Sequence, residues 1–188
     1  MSYYVGIDLS THAVDLVKLD EDSDRAEWVR VPLVGENAID RARSYREHHR
    51  EYLKTRRPGW VEKDGEQIDA TWVYPFWDDV ILCALEDPAG RGDTRKIARV
   101  QGVVIATIPS RVQVWTLQPA EWRRHCGLKG SASKDDVFAW AMRHWPYKTG
   151  DLLCTPQDAA DAYCIAYAAR AINASAASVA EGNQTQED

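Results

Sequence analysis

No apolar run in this sequence approaches the roughly 18 to 20 residues that a helix needs to cross a bilayer. The stretch at residues 103–108 is among the longest, and a membrane partner is not expected. The four cysteines, Cys83, Cys126, Cys154 and Cys164, form no C-x-x-C pair and show no metal-ligand spacing. Zinc binding and a disulfide framework therefore have no support, and the thiols read as reduced and mostly buried. The opening residues 1–10 contain no basic stretch and no signal-peptide core, so a cytoplasmic protein is expected. An excess of positive charge is missing as well. Lys and Arg number 23 against 29 Asp and Glu, a net charge of −6, and the pI is 5.4. Non-specific DNA binding rests on Lys and Arg neutralising phosphates, so the global charge speaks against that partner. A narrow basic face can still coexist with acidic segments, and here the acids gather at residues 20–24, in a carboxylate set and in the C-terminal tail.

What is present is a chain of 188 residues, 45% apolar and 28% charged, the size and make-up of one globular domain with a single core. Residues 3–9, 14–19 and 26–33 are short apolar runs separated by turns, which predicts three strands in an antiparallel meander. Residues 36–55 predict a helix whose inward stripe is Ala38, Ala42, Tyr45, His49 and Tyr52, ended by Pro58-Gly59. An irregular aromatic insertion at about 58–78 carries Trp60, Trp72, Tyr74, Phe76 and Trp77; such residues most often cap a core edge or an interface. The near-continuous apolar run 80–85 predicts a buried central strand. Helices are predicted at 94–108, 119–125, 134–145 and from Pro156 to about Ala171, with a further strand at 112–117. Strands in a meander followed by alternating strand and helix indicate an α/β domain over residues 1–172, with a mixed sheet of about five strands. Residues 173–188, small, polar and acidic, predict a disordered tail.

Four carboxylates stand out in that frame. Asp8 closes the first strand and Glu86 closes the strand 80–85, so both acids emerge at one sheet edge if these strands are neighbours. In Thr155-Pro156-Gln157-Asp158-Ala159-Ala160-Asp161, Thr155 suits the N-cap and Pro156 the first helical position. Asp158 and Asp161 are three apart, hence on one helical face, and the alanines between them let that face approach a sheet closely. Each acid alone has an ordinary structural explanation, as a turn former or a helix-dipole partner. Together they would repel strongly without compensation. Hard divalent cations supply it: Mg²⁺ favours carboxylate oxygens and keeps water for chemistry. Two such ions can serve an in-line displacement at phosphorus.

With these residues in place, the chain resembles the RuvC family of Holliday-junction resolvases, within the ribonuclease-H-like superfamily. Val5-Gly6-Ile7-Asp8 followed by Ser10 resembles the family's opening strand, and Leu85-Glu86 its second acid. The segment 96–103, with Gln101 before Gly102-Val103, resembles the helix that follows. Gly130-Ser131-Ala132-Ser133-Lys134 resembles the loop before a basic helix start, and Asp158-Ala159-Ala160-Asp161-Ala162 the closing acid pair. The resemblance implies a ribonuclease-H-like fold with helices flanking the mixed sheet. It implies a homodimer that binds four-way DNA junctions and nicks two strands with two Mg²⁺ or Mn²⁺ ions held by Asp8, Glu86, Asp158 and Asp161. By position Lys134 and Arg123 match basic residues near the cut phosphate, with Lys134 in a catalytic role. Lys129 joins them as a DNA-binding candidate. Arg at position 123 in place of Lys keeps the charge and changes the geometry.

The chain departs from the family in two ways. The family carries an aromatic shortly after its second acid, where this chain has Asp87-Pro88-Ala89-Gly90, and the acidic pI is unusual for a junction binder. A broader branched-DNA nuclease acting on flaps and forks is therefore an alternative, as is a non-catalytic DNA-binding module. The segment 6–11 also resembles the first phosphate-binding hairpin of actin-like ATPases and sugar kinases. Those proteins need two such domains, and a second glycine-rich phosphate loop is missing here.

Overall fold

The computed structural model describes residues 2–63, 66–87, 94–145 and 157–184. For residues 51, 54–75, 94 and 179–184 the description is of the backbone alone. Strands β1 (Tyr3–Leu9), β2 (Ala13–Asp20) and β3 (Ala26–Pro32) form the expected antiparallel meander. Strand β6 (Val80–Glu86) lies parallel to β1, and β7 (Gln113–Leu117) parallel to β6. The sheet order is β3-β2-β1-β6-β7. Helix α1 (Ala38–Tyr52) follows β3, α2 (Thr94–Thr107) connects β6 to β7, and α3 (Pro119–His125), α4 (Lys134–His144) and α5 (Gln157–Gln184) follow in turn. This is the mixed five-stranded α/β sheet with flanking helices predicted above.

Strand periodicity divides the core in two. Val5, Ile7, Val14, Leu16, Cys83 and Leu85 point to one face, where Tyr45 of α1 and Val104 of α2 cover them. Tyr4, Val17, Leu19, Leu82 and Ala84 point to the other, under Trp122 of α3, Val137 of α4 and the alanines of α5. Asp8, Asp15 and Glu86 share the parity of this second face. The close approach of α5 to β1 follows from small residues on both sides. Ala159, Ala160, Ala162 and Ala166 are fully buried, and a Cβ on Gly6 would collide with the Ala162 carbonyl and the Ala166 amide.

Several expectations need correcting. Helix α1 ends at Tyr52, which is exposed instead of completing the inward stripe; Leu53 takes the buried place. Pro58-Gly59 does not terminate this helix, because both residues lie within strand β4 (Lys54–Lys63). The stretch read as irregular is a hairpin in which β4 pairs antiparallel with β5 (Glu66–Pro75) as a separate two-stranded sheet. Phe76 and Trp77 at its base are buried in the core, whereas the side chains of Trp60, Trp72 and Tyr74 lie outside the described residues. Helix α5 runs on to Gln184, through most of the segment 173–188 read as a disordered tail. Ala-rich composition explains this, since alanine has the highest helix propensity. Thr155 and Pro156, and the loop 88–93 after the second acid, also lie outside the described residues. Cys83, Cys126 and Cys164 are free and buried, and Cys154 is not described. Among the described residues no helix is long and apolar enough to cross a membrane.

Candidate metal and phosphodiester site

Because β1 and β6 are parallel neighbours with Ile7 opposite Leu85, the next residues, Asp8 and Glu86, leave the sheet side by side at its carboxyl edge. Helix α5 crosses above with Asp158 and Asp161 on its lower face. All four acids line one cleft of about 180 Å³, together with Ser10, Asp87, Ile97, Arg123 and Lys134. The sequence-predicted carboxylates thus meet around a single space, and two of the three predicted cations border it. Lys129 is exposed on the α3–α4 loop and is not part of this lining.

Glu86, Asp158 and Asp161 each have a defined partner. Glu86 accepts a hydrogen bond from the indole Nε1 of the buried Trp122 at 3.2 Å. Its backbone carbonyl accepts one from the Gln101 amide at 3.2 Å, which gives the glutamine of α2 a positioning role. Asp161 accepts a hydrogen bond from Gln157 at 3.3 Å and pairs with Lys134 at 3.8 Å. Lys134 is the first residue of α4, whose start is fixed by a capping box between Ser133 and Asp136. A cation at that end opposes the helix dipole, and the acid across the cleft offsets this. The Lys134 side chain stays 60% exposed, so its ammonium remains available at the mouth. Arg123 donates to the Gly130 carbonyl at 3.3 Å and lies over the Trp122 ring at 4.9 Å.

The electrostatics are those of an undercompensated acid group. Burial, and then the charges of Asp161, Asp158, Glu86 and Asp15, hold the Asp8 carboxyl well above the usual carboxylate range. Burial pushes Asp161 up to about 6, against the opposing pull of Lys134 and Gln157, with Glu86 and Asp158 adding to the rise. Among the described residues no three acidic, His or Cys groups are drawn together into a ready-made metal cage. Instead Lys134 sits on Asp161, and Arg30 sits on Asp158 at 3.3 Å. The donor set is nevertheless all carboxylate oxygen, the kind Mg²⁺ and Mn²⁺ select, and its uncompensated negative charge calls for a cation. The residues present fit a hard divalent ion.

Sequence reasoning missed three neighbours of the site. Asp15 lies opposite Asp8 in the β1–β2 register, and Arg30 lies opposite Asp15 in the β2–β3 register, so the three form one row across the sheet. Trp28, two residues before Arg30, donates its Nε1–H to Asp15 at 2.8 Å. The signal was a lone charged residue at an inward position of the otherwise apolar Ala13-Val14-Asp15-Leu16-Val17. The hairpin register ties it to Asp8.

Two solved structures resemble this fold over nearly its whole extent. The structure of Thermus thermophilus RuvC superposes with a TM-score of 0.59 at 18% identity, covering 87% of this chain and 90% of that one. T. thermophilus RuvC in complex with a Holliday junction substrate gives the same TM-score at 16% identity, covering 89% and 92%. No protein-family model matches the sequence, and no curated protein matches it. The likeness shows that this chain shares the fold of those two structures.

Proposed function

We propose that this protein is a metal-dependent endonuclease that cuts phosphodiester bonds in branched DNA, with the four-way junction as its principal substrate. The observation that carries the reading is the meeting of Asp8, Glu86, Asp158 and Asp161 on one cleft whose rim holds Lys134 and Arg123. The fold shared with a RuvC that has been solved with a Holliday junction supports the choice of substrate.

Asp8, Glu86, Asp158 and Asp161 are the residues that would hold two Mg²⁺ or Mn²⁺ ions. When bound, such ions polarise water and phosphate and neutralise charge developing on the phosphoryl oxygens. The chain's own residues contribute the rest. Trp122 and Gln101 fix Glu86 from the side chain and the backbone, so this ligand costs little reorganisation at the moment of reaction. Lys134 reaches the cleft from the start of α4 and places a point charge where an incoming phosphate would lie. Arg123 adds a guanidinium anchored by Trp122 and Gly130. Two strand cuts placed symmetrically in a junction require two such sites, so the working unit is a homodimer. A cytoplasmic location is consistent with this reading.

The test is cleavage of labelled four-way junctions, flaps, forks and linear duplex, with Mg²⁺ and with EDTA. Paired nicks in the junction, dependent on metal, are expected. Equal cutting of flaps and forks would keep the chemistry and move the assignment to a general branched-DNA nuclease, the reading that the lack of an aromatic in Asp87-Pro88-Ala89-Gly90 favours. Absence of cutting on every substrate would leave a DNA-binding module.

A further inference from the structure

Asp15 is fully buried and only half satisfied. Its Oδ1 accepts the Trp28 indole hydrogen at 2.8 Å, while its Oδ2 has no hydrogen-bond partner among the described residues. Among the described residues, the cation paired with that oxygen is Nη2 of Arg30, at 3.7 Å, just beyond hydrogen-bonding reach. The same Nη2 lies 3.3 Å from Oδ2 of Asp158, to which it donates. One guanidinium nitrogen therefore stands between two carboxylates, bonded to the cleft acid and short of the buried one. An unpaired buried carboxylate oxygen is costly, and in most folded sites such a group acquires a donor. Here the donor is within a small side-chain movement and is engaged elsewhere. Arg30 is about one-third exposed, so it has room to move.

We propose that Arg30 is an exchangeable counter-cation: it holds Asp158 while the cleft contains no metal, and passes to Asp15 when a divalent cation takes Asp158. This rests on the preceding reading of Asp158 as a metal ligand. The geometry supplies both halves of the exchange. A positive group bonded to Asp158 competes with any cation for that carboxylate, and two like charges at one oxygen repel. Asp15 is the acceptor that makes the exchange affordable, because the guanidinium gains the orphaned Oδ2 when it leaves Asp158. Trp28 keeps the acceptor aimed by holding its other oxygen, and the β2–β3 register sets Asp15 and Arg30 opposite each other. Arg30 and Asp15 are positioning residues, since they act on metal through Asp158.

The two residues are expected to have opposite effects on metal affinity, which a merely structural role would not produce. The measurement is calorimetric titration of Mn²⁺ into the full-length protein at neutral pH, with no DNA present. R30Q removes the competitor and is expected to tighten binding roughly three- to tenfold. D15N keeps an oxygen for Trp28 but loses the charge that draws Arg30 away, and is expected to weaken binding by a similar factor. R30K retains a competing charge and stays within about twofold of the wild type. Melting curves in EDTA establish that each variant is folded. If D15N does not fold, the contrast between R30Q and R30K still decides the matter. As an independent readout, the side-chain ¹⁵N resonance of Arg30 is expected to shift on metal addition in the wild type and to stay in place in D15N. Weakened binding in both R30Q and D15N, or an Arg30 resonance indifferent to metal, would overturn the exchange and leave the nuclease reading intact. A wild type that binds no Mn²⁺ at all would instead overturn the metal site from which both start.

Discussion

Replacing Asp161 by Asn in the metal-free protein is expected to raise its stability at neutral pH. The Asp161 carboxyl is pushed from 3.8 up to about 6, first by burial and then by Glu86 and Asp158. At 1.36 kcal/mol per pH decade this displacement corresponds to roughly 3 kcal/mol of unfavourable free energy in the ionised folded state. Its side chain is only 10% exposed, so solvent screening removes little of it. The pull of Lys134 at 3.8 Å is already contained in that displacement, because its charge lowers the carboxyl. The Gln157 amide keeps an acceptor in either residue. The gain is about 3 kcal/mol, or a rise in Tm of roughly 6 to 12 °C for a domain of this size. Between 3.8 and about 6 the folded state binds more protons than the unfolded one, so this residue makes stability fall as pH rises through that window. The advantage of the variant is therefore full at pH 7.5 and about half as large near pH 5. Thermal melts in EDTA at the two pH values measure both the gap and its pH dependence. A D161N protein no more stable than wild type at pH 7.5, or a gap of equal size at both pH values, would refute the argument that these acids are undercompensated.

Two further outcomes follow from the packing and the site. Gly6→Ala is expected to destabilise the protein by about 3 kcal/mol or more, because the new Cβ meets the backbone of α5 at Ala162 and Ala166 and no flexible side chain can yield. Chemical denaturation would show it, and a loss below about 1 kcal/mol would mean that α5 does not sit so close to β1. Lys134→Ala is expected to lower the cleavage rate roughly 100-fold while changing the Kd for a four-way junction less than about threefold. A loss of binding as large as the loss of rate would make Lys134 a general DNA contact.

The legibility of this protein in its sequence is uneven, for physical reasons. The carboxyl-edge placement of Asp8 and Glu86 was readable because an acid closing a buried strand has few alternatives to facing the sheet edge. Parallel pairing of β1 with β6 then joined the two. The pair on α5 was readable because a three-residue spacing fixes a helical face and the alanines announce close packing. The β4–β5 hairpin escaped because Pro58 and Gly59 are strong breakers, yet here they sit within a strand of a separate two-stranded sheet. The extent of α5 was missed because a polar, acidic tail reads as solvated chain, while its alanines supply helix propensity. Asp15 and Arg30 escaped because their meaning lies in register: neither is near Asp158 in sequence, and only the pairing of three strands sets them in a row beneath it.

Asp8 and its three companion acids carry the proposed metal-dependent cleavage of DNA. The most direct measurement compares wild type and Asp8→Asn on a labelled four-way junction in Mg²⁺, scoring strand nicks and junction affinity together. No nicks are expected from the variant, with junction binding equal to or tighter than that of the wild type because one repelling charge is gone. A D8N protein that nicks the junction at the wild-type rate would contradict this role of Asp8.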